Sequence, residues 1–379
     1  MTVKMPPLGF NTWNTFGKDI SDELIRETAD RIIELGLLDC GYEYVVIDDC
    51  WSEKERDEQG RLVPYKNKFP NGIKVVADYV HSKGLKFGIY SCVGNRTCAD
   101  YPGSFEHEFI DAETFAEWGV DYLKYDYCYK PASEQGDLLY KRMSLALSNC
   151  GRDILFSACN WGADDSKNWI KETGAHMWRS TYDIRDNWKS VLDIFNNQKE
   201  LLPYCSPACY NDMDMLVIGM NGEGYCALGG CNEEEYKTHF AMWCMFSSPL
   251  MIGCDIRKID DAALKILKNR ELIKICCDSA GCQPYLTSNP IGWASSNAEV
   301  WAKNLENGDI AIFMLNPSDA PQRGFLPFAS VGLNASCGRT LGLCDLYSGE
   351  IIHTYKNEYM SDPIPAHGCR IFRARVEKL

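Results

Sequence analysis

Asp121-Tyr122-Leu123-Lys124-Tyr125-Asp126 is the stretch on which the fold turns. Its aromatic and aliphatic residues read as a largely buried strand, yet two charges, Lys124 and Asp126, stand two residues apart within it. Residues at that spacing on a strand point to the same face. In a closed barrel that face is the interior. A lysine beside an aspartate there lowers the carboxylate's pKa and keeps it ionised, which suits a nucleophile; the competing reading is a structural buried ion pair.

The run is one of eight β-like segments, at 8–13, 44–48, 85–91, 122–126, 154–158, 176–180, 213–218 and 249–253. Helix-like segments lie between them at 21–38, 71–83, 111–119, 187–199, 233–247 and 261–268. In the first, Leu24, Ile25, Thr28, Ile32 and Leu35 recur at helical spacing, and Ser21 followed by Asp22 and Glu23 makes a favourable start. Eight βα units over about 280 residues are what a closed (β/α)₈ (TIM) barrel of the α/β class needs. A doubly wound sheet is the competitor. It would usually carry G-x-G-x-x-G after the first strand or a phosphate-binding G-x-x-x-x-G-K-[ST], and neither occurs. Beyond Pro284 the pattern changes to short alternating strands at 293–303, 309–316, 339–347 and 369–376, separated by turns such as Glu306-Asn307-Gly308-Asp309, Ser348-Gly349 and His367-Gly368. The expected division is a barrel over 1–285 and an antiparallel β-sandwich over 286–379.

Composition narrows the function. The 379 residues are 45% hydrophobic and 24% charged, with 53 acidic against 39 basic side chains and a formal charge of −14. Such a surface repels phosphate backbones and anionic lipid, which argues against nucleic-acid and membrane partners and leaves neutral small molecules. The 19 cysteines are odd in number and include no C-x-x-C pair, so they read as small buried hydrophobes in a reducing, cytoplasmic protein. No signal peptide and no apolar membrane span is visible. A homo-oligomer stays open.

In a barrel the chemistry gathers at the C-terminal ends of the strands. Those ends carry Asn11 and Trp13; Asp48, Asp49 and Trp51; Tyr90 and Cys92; Lys124 and Asp126; Cys159, Asn160 and Trp161; Arg179 and Asp183; and Asn211, Asp212, Asp214 and Met215. A lone aspartate ending a strand commonly caps the next helix, a reading that fits Asp111, Asp165 and Asp261. Carboxylates at four of the eight ends, set among Trp and Tyr, exceed that. Only six histidines are present, none in an H-x-H or H-E-x-x-H arrangement, so neither a metal nor another cofactor is expected, although a carboxylate-only Mg²⁺ site stays open. No G-x-S-x-G elbow occurs. Paired carboxylates with aromatic platforms are what glycoside hydrolysis requires.

Six stretches then resemble one family: PPLGFNTWN (6–14), GYEYVVIDDCW (41–51), KFGIYSCVGNRTCADYPGS (86–104), WGVDYLKYDYCY (118–129), MWRSTYDIRDNW (177–188) and YNDMDMLVIG (210–219). In this order they are similar to the α-galactosidase/α-N-acetylgalactosaminidase family of retaining glycosidases, glycoside hydrolase family 27. The resemblance implies Asp126 as nucleophile and Asp183 as acid/base, with Asp186 as second choice for the latter. It implies sugar contacts from Trp13, Asp48, Asp49, Tyr90, Cys98, Lys124, Arg179 and Asp214, with Met215 lining the pocket. The Asp48–Asp49 pair would bond the axial 4-hydroxyl and the 6-hydroxyl. A disulfide between Cys98 and Cys128 is also implied. Two departures stand out. Asn160, followed by Trp161, occupies a position where galactosidases commonly have Glu and where the sugar's 2-substituent is read. Tyr127 follows the nucleophile where many members have a small residue. The implied activity is hydrolysis of terminal α-D-galactosides, with N-acetylgalactosamine and β-L-arabinopyranose as alternative sugars. A non-catalytic sugar-binding protein and a metal-dependent barrel hydrolase are the readings from other classes.

Overall fold

The computed structural model describes residues 3–287 and 298–379. The first part is a barrel of eight parallel strands: β1 (Leu8–Asn11), β2 (Tyr44–Val46), β3 (Lys86–Cys92), β4 (Tyr122–Asp126), β5 (Leu155–Cys159), β6 (Met177–Arg179), β7 (Tyr210–Asp212) and β8 (Leu250–Ile252). Each pairs with the next as far as β7, and β8 returns to pair with β1. The last seam, between β7 and β8, is closed by a single parallel bridge, Leu216 to Ile252. The Leu216 N–H donates to the Met251 carbonyl at 2.7 Å, and the Gly253 N–H to the Leu216 carbonyl at 2.9 Å.

This corrects the seventh strand, expected at 213–218. Asp214 has φ +79°, in the left-handed region, and a strand cannot run through it. The helix Gly136–Asn149 also lay outside the expected set, although Leu139, Tyr140, Met143, Ala146 and Leu147 bury one face of it. The first expected helix starts as its sequence suggests, Ser21 accepting from the Leu24 N–H, and the helix Glu233–Met245 starts on a reciprocal capping box between Asn232 and Glu235. Asp111 and Asp261 are not caps. Asp111 lies inside the helix Glu108–Trp118, buried against both guanidinium nitrogens of Arg56 at 2.7 and 2.8 Å, and Asp260 caps the helix that Asp261 begins.

Alternation along the strands sorts side chains into two sets. Leu8, Phe10, Val45, Ile47, Phe87, Ile89, Leu123, Tyr125 and Phe156 belong to the large core between barrel and helices. The opposite positions fill the barrel. Its lower half is a separate apolar cluster that includes Tyr44, Val46, Tyr122, Leu155, Met177, Tyr210 and Met251. Glycine makes room there: a Cβ on Gly88 would come within 2.6 Å of Val46, and one on Gly9 within 2.5 Å of the Tyr44 carbonyl.

The second part is antiparallel. Strands β9 (Tyr285–Leu286), β10 (Glu299–Asn304), β11 (Ile310–Leu315), β13 (Arg339–Asp345), β14 (Ile351–His353) and β16 (Cys369–Lys378) form a sheet in the order β14-β13-β16-β11-β10-β9. Strands β12 (Phe325–Pro327) and β15 (Glu358–Met360) pair separately. The first five residues of the strand expected at 293–303 lie outside the described residues. The barrel core continues into this sheet: Phe195 meets Phe246, Trp301 and Phe313 with ring centroids 5.0, 5.9 and 6.4 Å apart. Lys303, fully buried on β10, donates to the Ser247 hydroxyl at 2.7 Å and the Ile275 carbonyl at 2.9 Å. Among the described residues no helix is long and apolar enough to cross a membrane.

Candidate active site

The upper half of the barrel interior is polar, and the change happens within single strands. On β4 the inward residues run Tyr122, Lys124, Asp126; the first lies in the apolar cluster and the last two line a pocket of about 50 Å³. Trp13, Asp48, Asp49, Tyr90, Cys98, Trp161, Arg179, Asp183, Asp214 and Met215 line the same pocket. Residues from 13 to 215 in the chain thus converge on one small volume, because each ends or follows a strand at the same end of the barrel.

Asp126 is 6% exposed and held from both sides. One oxygen accepts from the Tyr90 hydroxyl at 2.9 Å, and the other from the Tyr127 N–H at 2.9 Å. Burial pushes its pKa up to about 6, against the opposing pull of Lys124, Tyr127 and Tyr90. The expected direction is therefore reversed. Lys124 does favour the charged carboxylate, but its ammonium bonds to Asp48 at 2.8 Å instead of Asp126, and desolvation prevails. Asp48 also accepts from the Asn11 amide at 2.8 Å. Asp49 accepts from Thr97 at 2.9 Å and from the Cys50 and Ala99 N–H groups at 2.7 and 3.0 Å; burial nonetheless raises its pKa.

Across the pocket, Arg179 is almost fully buried and its Nη2 bonds Asp183 at 2.7 Å and Asp214 at 2.8 Å. The two carboxyls are not alike. The Asp183 side chain is 49% exposed and Asp214 4%. Burial pushes both up, but Arg179 and Lys124 outweigh it at Asp183, which is lowered, whereas Asp214 stays raised. Asp214 also accepts from the Ile184 and Met215 N–H groups, both at 2.7 Å. Two of the pocket residues, Trp161 and Asp214, hold positive φ angles (+57° and +79°), the kind of local strain that persists where the surroundings over-determine it.

Asn160 does not line the pocket. It is fully buried, its Nδ2 donates to the Ala163 carbonyl at 3.0 Å and its Oδ1 accepts from the Gly162 N–H at 3.3 Å. A polar residue at a strand end was read as pointing inward; here its amide closes a turn, and Trp161 faces the pocket instead. Asp186, the second choice for acid/base, is also remote from the pocket walls. It is fully buried and accepts from the Gly222 and Cys231 N–H groups and the Tyr236 hydroxyl, while Asn187 caps the following helix. Tyr127 turns away too, its hydroxyl on Asp164 at 2.5 Å and its ring stacked on Tyr140. Two further side chains line the pocket: Asn14, whose place in the FNTWN run is its sequence signal, and Cys159, at the end of β5.

Cys98 and Cys128 stand at disulfide-bonding distance, with Cα atoms 5.2 Å apart, at the pocket edge. With Asp126 they form a cluster of metal-ligand type, the one such group among the described residues.

Two family models match this chain: Alpha galactosidase A over residues 9–278 and Alpha galactosidase C-terminal beta sandwich domain over 295–374. The alpha-galactosidase of Cyamopsis tetragonoloba is 40% identical over 368 residues, which are 97% of this chain and 85% of that protein. That of Oryza sativa subsp. japonica is 41% identical over 370 residues, covering 97% and 84%. The crystal structure of alpha-galactosidase I from Mortierella vinacea superposes with a TM-score of 0.90 at 32% identity, covering 98% of this chain and 97% of that one. Fold, site and full-length similarity agree, and this chain belongs to the alpha-galactosidase family, glycoside hydrolase family 27.

Proposed function

We propose that this protein is a retaining exo-α-galactosidase in which Asp126 is the nucleophile and Asp183 the acid/base. The observation that carries the reading is the pairing of these two carboxyls, one buried and one half-exposed, on the wall of one small pocket. An Asp126 oxygen attacks the anomeric carbon, the bond to the leaving oxygen breaks, and Asp183 gives that oxygen its proton. Water then attacks the same carbon, its proton passes to Asp183, and the ester bond to Asp126 breaks, so that configuration is retained.

The protonation states follow from the surroundings. With a pKa raised by burial to about 6, Asp126 is mostly ionised at neutral pH and still basic enough to attack. Asp183, held down by Arg179 in the open pocket, must gain a proton when substrate binds. A galactoside covering its exposed side removes water and raises its pKa. Formation of the ester on Asp126 then removes a neighbouring negative charge and lowers it again, which suits its second role as base.

Within the pocket, Asp48 and Asp49 are the proposed ligands of the 4- and 6-hydroxyls, with Lys124 beside Asp48. Trp13 and Tyr90 supply apolar faces to the ring, Arg179 and Asp214 bond its other hydroxyls, and Met215 and Cys98 close the walls. The carboxylate pair for a hydroxymethyl-bearing sugar supports galactose over arabinopyranose. Galactosides are the substrates, the chain divides at about residue 285, and the Cys98–Cys128 separation, within the range of disulfides, marks a bond that staples the loops after β3 and β4. The other seventeen cysteines are free, which supports a reducing compartment such as the cytoplasm.

A panel of nitrophenyl glycosides tests the reading. The α-galactoside should be cleaved in preference to the α-N-acetylgalactosaminide and the β-L-arabinopyranoside, with activity unchanged in strong chelator. Preference for either other sugar, or loss of activity restored by a divalent ion, would overturn it.

A further inference from the structure

Cys98 is exposed, Cys128 is half-buried, and both sulfurs stand beside the carboxyl assigned as nucleophile. The Cys98 Sγ lies 3.6 Å from the Asp126 Oδ2. Ligand atoms of the three residues all fall within 4.8 Å of one another. A tetrahedral zinc ion holds sulfur at about 2.3 Å and a carboxylate oxygen at about 2.1 Å, which sets those two ligands about 3.6 Å apart. The spacing of Cys98 and Asp126 is therefore already that of one edge of a coordination tetrahedron.

The sulfurs do not depend on their mutual bond to stay there. The residues on either side of Cys98 are tied to Asp49, the Thr97 hydroxyl at 2.9 Å and the Ala99 N–H at 3.0 Å. The same loop is crossed by bonds from the Thr97 N–H to the Tyr101 carbonyl at 2.8 Å and from the Gly103 N–H to the Asn95 carbonyl at 3.0 Å. Cys128 follows closely on β4, where the Val93 N–H donates to the Asp126 carbonyl at 2.9 Å. The loop after β3 lies so near that a Cβ on Gly94 would come within 2.2 Å of the Cys128 carbonyl. Charge favours a cation as well. Asp48, Asp49, Asp126, Asp183 and Asp214 line the pocket against Lys124 and Arg179 alone.

We propose that Cys98, Cys128 and Asp126 are a latent site for a thiophilic divalent cation such as Zn²⁺, shut while the sulfurs are bonded and opened by a dithiol reductant. One thiolate of the dithiol attacks a sulfur of the Cys98–Cys128 bond, and its second sulfur closes on the first. The reductant leaves as a cyclic disulfide, and two electrons and two protons pass to the cysteines. Zinc then displaces both protons and takes two thiolates and an Asp126 oxygen, with its fourth position open to water. A carboxylate oxygen bound to the metal does not attack the anomeric carbon, so turnover stops until the metal is withdrawn. The seventeen free cysteines, which support a reducing compartment, make the open state the one to expect there. The inference rests on the assignment of Asp126 as the nucleophile.

The test uses the whole protein, either oxidised or reduced with dithiothreitol and then desalted, with 4-nitrophenyl α-D-galactopyranoside as substrate. Zinc chloride should slow the reduced protein about tenfold or more, competitively with substrate, and chelator should restore the rate; the oxidised protein should keep its rate. In reduced Cys128→Ser the inhibition, taken relative to that variant's own metal-free rate, should disappear. Cys337→Ser, at an exposed free cysteine, should be inhibited like the wild type. Cobalt(II) gives a second readout that needs no turnover: a thiolate-to-metal charge-transfer band in the reduced protein that Cys128→Ser lacks. Equal inhibition of the two redox forms overturns the site, and so does inhibition that survives in Cys128→Ser. The two readings fail separately. An oxidised, metal-free protein that cleaves no galactoside defeats the functional assignment, and the cobalt band then decides the site by itself. An active protein whose reduced form zinc leaves untouched removes the site alone.

Discussion

The lower and upper halves of the barrel interior are built from the same strands and do opposite things. Tyr122, Leu155 and Met177 plug the bottom with apolar volume, while two to four residues further along β4 and β6 stand charges, Asp126 and Arg179 buried and Lys124 nearly so. The lower half is stable because it excludes water from apolar groups. The upper half keeps charges in a space where water would serve them better, and each is tied to at least one partner. The plug is what makes this affordable: it fixes the strand ends so that groups from Trp13 to Met215 meet in one pocket.

Removing the charge at the top should break function first. Asp126→Asn is expected to lower turnover of every galactoside by about 10⁴-fold or more, read from steady-state rates. The same variant should be more stable. A carboxyl whose folded pKa is raised from 3.8 to about 6 binds its proton more tightly in the folded chain, so it subtracts stability as pH rises through that interval. At pH 7 the asparagine variant should gain the equivalent of about 1–3 kcal/mol in a denaturant or thermal melt. A destabilised variant would show that Asp126 belongs to the structural half.

Asp183→Asn comes next, with a loss of about 10²–10⁴-fold on substrates with poor leaving groups and a smaller one in the glycosylation step on nitrophenyl galactosides. An equal loss on both would detach Asp183 from proton transfer. Leu155→Ala, in the plug, should cost about 2–5 kcal/mol of stability and leave KM near its starting value, since Leu155 is fully buried and does not line the pocket. The smallest effect is one of pH. The acid limb of kcat/KM should fall near pH 6, where Asp126 gains its proton. A limb near 4 would mean that Lys124 outweighs burial after all.

The division between the halves was legible in the DYLKYD run itself, since alternation sends Tyr122, Lys124 and Asp126 to one face. The partner of Lys124 was not, because Asp48 comes from a strand 76 positions earlier and spacing along one strand says nothing about it. Turn geometry was equally hidden. Asn160 and Asp214 look alike as polar residues at strand ends, but one folds its amide into its own loop and the other faces the pocket through a left-handed backbone. The three-residue strands β12, β14 and β15 carry too few positions for alternation to register.

Lys303 has a consequence for anyone who would cut this molecule in two. The division after residue 285 looks like a hinge between independent modules, yet the lysine reaches from the β-sheet into the barrel's helical layer beside Phe195 and Phe246. A barrel expressed alone would lose its covering of Trp301 and Phe313 and leave the Ile275 carbonyl without its donor. The exposed aromatics would make it sticky rather than inactive by design. The β-sheet that carries no proposed chemistry thus covers one flank of the barrel, and the two parts of the chain share one hydrophobic core.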